Sequence, residues 1–90
     1  MTPSIGRIVH YTLSERDADN IMAARREGQI HGNPVAEGRT YPMVVVCVHG
    51  RYVNGKVLLD GDDTYWATSV EAGTEPGTFA WPSRIESPRS

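Results

Sequence analysis

The stretch MVVVCVHG, Met43–Gly50, is the strongest strand signal in the chain and decides how the rest of the sequence is interpreted. A continuous run of β-branched residues is typical of a strand that is covered on both faces, so it predicts the central strand of a sheet. Side chains two residues apart in a strand share one face. The residues that we expect in the core are Met43, Val45, Cys47 and Leu58 or Leu59.

The segment before this strand changes from a strand period to a helix period. Ile5–Tyr11 alternates as a strand does, whereas the residues after it repeat their apolar positions with the spacing of one helical face. Ser14 followed three residues later by Asp17 is typical of a helix start with a capping box. Gly28 is expected to end the helix in a left-handed conformation. The pattern predicts one helix over Glu15–Glu27.

The turn after the central strand has two possible positions. Asn54-Gly55 is a strong two-residue hairpin signal. A turn at Gly50-Arg51 instead leaves Val53–Asp60 as a strand long enough to pair with the whole central strand. We favour the second position, because the pairing is then complete.

Two later segments complete a set of five predicted strands. TYWATSV, Thr64–Val70, is rich in residues that favour strands, and FAW, Phe79–Trp81, is a short strand that Pro82 ends. Gln29–Pro42 has no period and is expected to be a loop.

Five short strands in a chain of 90 residues have many edges, and a sheet reduces them by curling or closing. The predicted fold is therefore mainly β (α+β): a small curled sheet or an SH3-like β-barrel of about five strands, with one α-helix inserted after the first strand. Residues 1–82 are expected to form a single compact domain, and 83–90 a polar C-terminal tail.

Composition narrows the function classes. Nine basic and eleven acidic residues give a formal net charge of −2, which argues against nucleic acid as a partner. No apolar run is long enough to span a bilayer and no leader segment is visible, so we expect a soluble cytosolic protein without a membrane partner. One cysteine and three widely spaced histidines predict no zinc site, and no cofactor is expected. The core of so short a chain is thin, which favours a homo-oligomer.

The acidic segment Asp60-Gly61-Asp62-Asp63 raises the question of a metal loop or a catalytic carboxylate pair. A calcium loop of the EF-hand type fails here, because Tyr65 stands where the bend requires glycine. Carboxylates at a solvated turn tip would keep their ordinary acidity, so a catalytic pair is not expected either. The segment predicts a hairpin turn in which Gly61 has a positive φ. No catalytic residue and no metal ligand are predicted.

Tyr65 and Trp66 are adjacent in a predicted strand and therefore point to opposite faces. Two interpretations remain open: Trp66 lies in the core and Trp81 closes one end of the barrel, or an exposed ring near an arginine or histidine forms a stacking site for a base and its phosphate. On the second interpretation the candidate ligand-binding residues are Tyr65, Trp66, Trp81, Arg39, Arg51, His10 and His49. The structural alternatives are a half-buried His10 and a solvated helix end at Arg25-Arg26.

Four segments together resemble a family of small accessory proteins of tailed bacteriophages, in particular those of actinobacterial phages and prophages. They are GRIVHYTLSERDADNI (6–21), GNPVAEGRTYPMVVV (32–46), VNGKVLLDGDDTYWATSV (53–70) and GTFAWP (77–82). The resemblance covers nearly the whole chain up to Pro82. It implies a phage origin and the host cytoplasm as location, and it carries over no catalytic residue.

The resemblance and the aromatic residues together lead to three function hypotheses. The first is a non-catalytic, oligomeric sponge that sequesters a small anionic, nucleotide-derived signal of host immunity. The second is a protein-interaction or virion-associated module whose exposed aromatics face a partner. The third is a small metal-dependent phosphodiesterase that uses Asp60, Asp62 and a histidine.

Overall fold

The computed structural model describes residues 2–82, which form five strands and one helix. In chain order the elements are β1 (Ile8–Thr12), α1 (Glu15–Gly28), β2 (Thr40–His49), β3 (Tyr52–Leu58), β4 (Thr64–Val70) and β5 (Phe79–Ala80). All strand pairs are antiparallel and build one sheet in the order β4-β3-β2-β1-β5, with the predicted strand β2 at its centre. The mainly β fold with one helix after the first strand is confirmed.

Of the two predicted arrangements, the structure has an unclosed sheet rather than a barrel. The sheet is nevertheless curled: β5, which forms one edge, also contacts the segment that follows β4, the strand at the other edge. Phe79 pairs with Tyr11 of β1, and its N–H also donates to the carbonyl of Glu71, directly after β4 (3.0 Å). A single parallel bridge between Ala72 and Phe79 is the only such link in the described chain, and it leaves the sheet open.

Only one face of β2 is covered, so the prediction of a strand buried on both faces is wrong. Val45 is 1% exposed, whereas its neighbour Val46 is 44% exposed. A β-bulge lies between Val45 and Cys47, which pairs with Asn54. The extra residue shifts the alternation, and Cys47 becomes exposed instead of joining the core.

The other predicted core residues are buried. Met43 is fully buried, and of the two leucines offered as alternatives Leu59 is buried and Leu58 is 41% exposed. The core lies between the concave side of the sheet and α1, as the buried side chains of every element show. It contains Val9, Tyr11, Leu13, Ala18, Ile21, Val35, Met43, Val45, Val53, Val57, Leu59, Ala67, Val70 and Phe79.

Helix α1 begins as predicted and ends one residue later. Ser14 is the N-cap, and both hydrogen bonds of the capping box with Asp17 are present. The left-handed residue at the other end is Gln29 (φ 54°) and not Gly28, so that prediction is wrong. Gly28 instead makes room for Ile30, since a Cβ at position 28 would lie 3.1 Å from the Ile30 Cδ1 atom.

The hairpin between β2 and β3 turns at Gly50-Arg51, where Gly50 has a φ of 64°. The favoured position is confirmed, and Asn54-Gly55 lies inside β3. Position 55 requires glycine for steric reasons and not because the chain turns there. A Cβ at this position would lie 2.6 Å from the Met43 Cγ atom.

Other predicted boundaries moved by a few residues. The first strand starts at Ile8 and not at Ile5, and β2 takes the last three residues of the predicted loop. The predicted polar tail, 83–90, lies outside the described residues. Within residues 2–82 no helix is long and apolar enough to cross a membrane.

Candidate functional site

A buried polar cluster joins the helix to two strands of the sheet. The Tyr11 hydroxyl donates to Oδ2 of Asp17 (2.5 Å), and the Tyr65 hydroxyl donates to Oδ1 (2.6 Å). The Ser14 N–H donates to Oδ2 as well (2.9 Å). Tyr11 and Tyr65 stand on β1 and β4, three strand positions apart in the sheet, and they converge on one carboxylate because the sheet is curled.

These hydrogen bonds change the acidity of all three groups. Burial raises the pKa of Asp17, but the hydrogen bonds from Ser14, Tyr11 and Tyr65 outweigh it and hold the pKa below its usual value. Burial, reinforced by the neighbouring Asp17 carboxylate, raises the pKa of Tyr11 and of Tyr65. The cluster is thus an ionised carboxylate with neutral hydroxyls at neutral pH. Every oxygen is occupied by a partner from the chain itself, so the cluster is structural.

A second polar cluster surrounds Arg25, near the end of α1. Its Nε and Nη2 atoms donate to the two oxygens of Asp63 (3.0 and 3.1 Å), and Nη1 donates to the carbonyl of Asn33 (2.7 Å). Arg25 is 5% exposed, so the expectation of a solvated helix end is wrong at this residue. The hydrogen bonds to Asp63 raise the pKa of Arg25.

Two glycines allow the loops around Arg25 to approach each other. A Cβ at Gly32 would meet the Arg25 guanidinium at 2.5 Å, and a Cβ at Gly61 would meet the Gly32 Cα atom at 2.6 Å. Gly61 does not have the positive φ that was predicted for it. Its role is to let the loop before β4 cross the loop after α1, where Gly32 and Gly61 form a bridge.

The acidic segment before β4 is engaged by this arrangement. Asp63 binds Arg25, and Asp60 accepts a hydrogen bond from the side-chain amide of Asn33 (2.9 Å). The N–H of Asp62 donates to the carbonyl of His31. Residues 2–82 contain no group of three His, Cys, Asp or Glu side chains placed to hold a metal ion. In the structure the segment is a loop that is held against α1 and against the loop that follows α1.

The outward face of the sheet differs from the inner face in composition. We define it as the side chains of β1–β4 that alternate with the buried ones and point away from α1. One cross-strand row runs over all four strands through Ile8, Val44, Lys56 and Trp66, each paired with the next. Ile8 is 51% exposed and Trp66 is 48% exposed. The row therefore presents an aromatic ring beside a lysine on an otherwise apolar band.

Charge is distributed unequally between this face and the rest of the chain. No outward-facing position of β1–β4 is Asp or Glu, although the chain as a whole is acidic. The basic side chains on the face are Lys56, His10 and His49. The acidic residues of 2–82 lie on the helix, in the loops and after β4.

Trp66 and Tyr65 point to opposite faces, as predicted. The interpretation that placed Trp66 in the core is wrong: Tyr65 points inward and is bound to Asp17, and Trp66 is the exposed ring. The alternation alone could not decide between them. Tyr65 takes the inner side, where its hydroxyl donates to the carboxylate of Asp17.

The other candidate residues are spread over the molecule. His10 is exposed on the outward face rather than half-buried. His49 stacks on Tyr52 with ring centroids 6.0 Å apart at the β2–β3 hairpin. Trp81, 41% exposed, follows β5 at the opposite edge from Trp66.

The two candidate arginines cannot serve one small ligand. Arg39 precedes β2 and Arg51 follows it, so ten residues of strand separate them by roughly 30 Å. Arg51 is also engaged: it lies over the Tyr52 ring (5.2 Å) and forms an ion pair with Glu71 (2.9 Å). Its hydrogen bond to Tyr52 raises the pKa of the Arg51 guanidinium.

Lys56 was not among the residues predicted from the sequence, although it lies directly beside Trp66. One signal was available, since Lys56 is the only lysine of the chain. The cross-strand register that puts it next to Trp66 becomes known only once β3 and β4 are paired. Comparisons with models of protein families, with curated proteins and with solved structures find no match for the chain.

Proposed function

We propose that the protein is a non-catalytic binding protein that takes up a small anionic ligand carrying an aromatic base on the outward face of its sheet. The observation that carries the proposal is the neighbouring pair Trp66 and Lys56 on a face without carboxylates. Trp66 offers a stacking surface for the base, and Lys56 offers a positive charge for a phosphate.

The surroundings of this pair support an anion rather than a cation. A phosphate near Lys56 meets no Asp or Glu among the outward-facing strand positions, and His10 lies on the same face. The nearest acidic loop is partly neutralised, because Asp63 is bound to Arg25. Charge complementarity therefore favours a negatively charged ligand.

The strength of such a site is sufficient for sequestration. A base stacked on an aromatic side chain contributes about 1–3 kcal/mol, and a charge-assisted contact adds about as much. Micromolar affinity corresponds to about 8 kcal/mol. Two Trp66–Lys56 pairs, one from each copy of a dimer, would approach this value. The resemblance to phage accessory proteins supports a sponge for a nucleotide-derived immune signal in the host cytoplasm.

The test is calorimetric titration of the protein with a panel of cyclic dinucleotides, cyclic trinucleotides and ADP-ribose derivatives. Trp66→Ala and Lys56→Met should each weaken binding about tenfold for every Trp66–Lys56 pair that the ligand contacts, since each removes one contact of about 1–2 kcal/mol per pair. Arg26→Ala is the matched control, because Arg26 is exposed on α1, on the opposite side of the sheet from Trp66. Absence of heat from every compound would contradict the proposal.

The single lysine provides a second readout that does not depend on heat. An amine-reactive acylating reagent modifies Lys56 and can be followed by mass spectrometry. Bound ligand should slow the acylation of Lys56, while an unrelated lysine peptide added to the same reaction as a standard keeps its rate. If a ligand binds and the acylation rate of Lys56 does not change, the binding site lies elsewhere.

A protein partner is the second candidate, and the apolar part of the outward face favours it. Val46 and Leu58 are 44% and 41% exposed, and they widen the band that contains Ile8 and Trp66. Exposed apolar patches of this kind are often contact surfaces for other proteins. Ile8→Ser tests this candidate: it should weaken a protein contact and leave nucleotide binding unchanged.

A further inference from the structure

The two edges of the sheet are protected to very different degrees. β5 forms one edge with only two residues, is followed by Pro82, and is hydrogen-bonded on its outer side to the segment after β4. β4 forms the other edge with seven residues. Its backbone is paired with β3 on one side, and no element of residues 2–82 pairs with it on the other.

The β4 edge also lacks the residues that usually prevent strands from pairing. Its sequence, TYWATSV, contains no charged residue and no proline. Natural proteins place lysine, proline or a bulge on exposed edges to avoid pairing with other chains. The irregularity of β4 is a β-bulge near its end, where the register with β3 shifts between Ala67 and Val70 and Ser69 has a φ of 52°. The regular part, Thr64–Thr68, is a neutral template of strand-forming residues.

We propose that β4 pairs antiparallel with β4 of a second copy, so that two sheets join into one of ten strands. An uncharged strand can pair with itself without repulsion, which a strand carrying a net charge cannot do. The partner is a second copy because the twofold axis then supplies an edge of the same length and the same neutrality. This pairing does not depend on the proposed ligand.

The register follows from the regular part of the strand. Centring the pair on Trp66 uses all five residues before the distortion at Ser69, and places Thr64 opposite Thr68 of the second copy. Trp66 then faces its own copy across the axis, and aromatic pairs stabilise such cross-strand positions. The two Trp66–Lys56 units come to lie side by side on one outward face.

Charge swaps at the two threonines test the register. Both are exposed on the outward face, so substitution should leave the fold intact. Thr64→Lys with Thr68→Lys puts like charges opposite each other twice, and Thr64→Glu with Thr68→Lys puts opposite charges there. We expect the dissociation constant of the dimer to differ about tenfold or more between the variants, with the like-charged one weaker. Ala36→Lys with Thr40→Lys adds the same charge away from β4 and is the control.

Sedimentation of the purified wild-type protein gives the dissociation constant. A monomer at about 0.1 mM overturns the proposal, since dimerisation follows mass action. Equal dimerisation of the two charge-swapped variants overturns the register. Circular dichroism of each variant confirms that loss of the dimer does not come from unfolding.

The single cysteine allows the geometry to be measured directly. Cys47 is exposed on β2 and can carry a spin label without touching the proposed interface. In this dimer the two Cys47 Cα atoms are separated by five strand spacings, and each lies about two residues along its strand from the twofold axis. The two atoms are therefore about 20–30 Å apart, the lower value allowing for curling. A distance distribution centred in this range is expected from pulsed electron paramagnetic resonance, and one outside it overturns the pairing.

Discussion

The polar residues on the two sides of the sheet differ in burial and in their hydrogen-bond partners. On the inner face, the carboxylate of Asp17 and the guanidinium of Arg25 are buried, and each is held by several partners from the chain. On the outward face, Lys56 and Trp66 are exposed among apolar side chains. Buried polar groups with complete sets of partners support the fold, whereas an exposed ring beside a lone lysine is available for binding. The difference separates structural residues from candidates for function.

The largest expected effect compares two neighbours on β2 that point to opposite faces. Val45→Asp should unfold the domain, because an unpaired charge in the core costs several kcal/mol, roughly the whole stability of a small domain. Val46→Asp should cost less than about 1 kcal/mol, since Val46 is exposed. Chemical denaturation followed by circular dichroism measures both. Similar melting of the two variants would contradict the assignment of the faces.

The next effect concerns Arg25, whose removal leaves the carboxylate of Asp63 and the carbonyl of Asn33 without their donor. Breaking a buried ion pair costs about 3–5 kcal/mol, and the partial exposure of Asp63 (13%) puts Arg25→Met at about 3 kcal/mol. Arg26→Met is the control, because Arg26 is exposed one residue further along α1. The free energy of unfolding from urea titrations should separate them, and equal values would show that the Arg25 contacts do not stabilise the fold.

The third effect depends on pH. Asp17→Ala removes one of the two hydrogen bonds of the capping box and the acceptor of two tyrosine hydroxyls, which should cost about 2–3 kcal/mol at pH 7. The pKa of Asp17 is lowered in the folded state, so its stabilising contribution is present above about pH 4 and is lost as the pH falls below it. The pKa of Tyr11 is raised, so its contribution is complete below about pH 10 and is lost as the pH rises further.

The difference in stability between wild type and Asp17→Ala should therefore shrink in acid. Urea unfolding at pH 7 and pH 3 measures it. Asp19→Ala, an exposed carboxylate on the same helix, provides the control. A constant difference across this range would contradict the role assigned to the Asp17 carboxylate.

Local patterns predicted the elements of this fold well, because they depend on neighbours in the sequence. The helix start at Ser14 and the strand Thr64–Val70 were placed correctly. The bulge that exposes Cys47 was not predictable, since it arises from pairing with β3 and leaves no mark in the sequence of β2. The buried role of Arg25 was missed for a similar reason: its partner Asp63 is 38 residues away.

In the candidate site, too, local features could be predicted from the sequence and contacts between distant segments could not. The sequence predicted that Tyr65 and Trp66 point to opposite faces, but not which of them is exposed. That choice depends on Asp17, which accepts the Tyr65 hydroxyl from across the core. Lys56 was missed because its position beside Trp66 depends on the register of β3 and β4. Contacts between distant segments decide which residues are free, and no local pattern contains them.

A small expected effect on stability is that of Trp66→Ala, and the sharpest test of the two faces compares it with a buried aromatic residue. Phe79→Ala should cost about 3–5 kcal/mol, because Phe79 is 1% exposed and its removal leaves a cavity. Trp66→Ala should cost less than about 1 kcal/mol, because the larger ring is 48% exposed and its contacts lie on the open face. If Trp66→Ala also weakens ligand or dimer formation, the loss then reports binding and not folding. A large loss of stability in Trp66→Ala would instead mean that the ring supports the sheet, and the outward face would lose its main candidate for function.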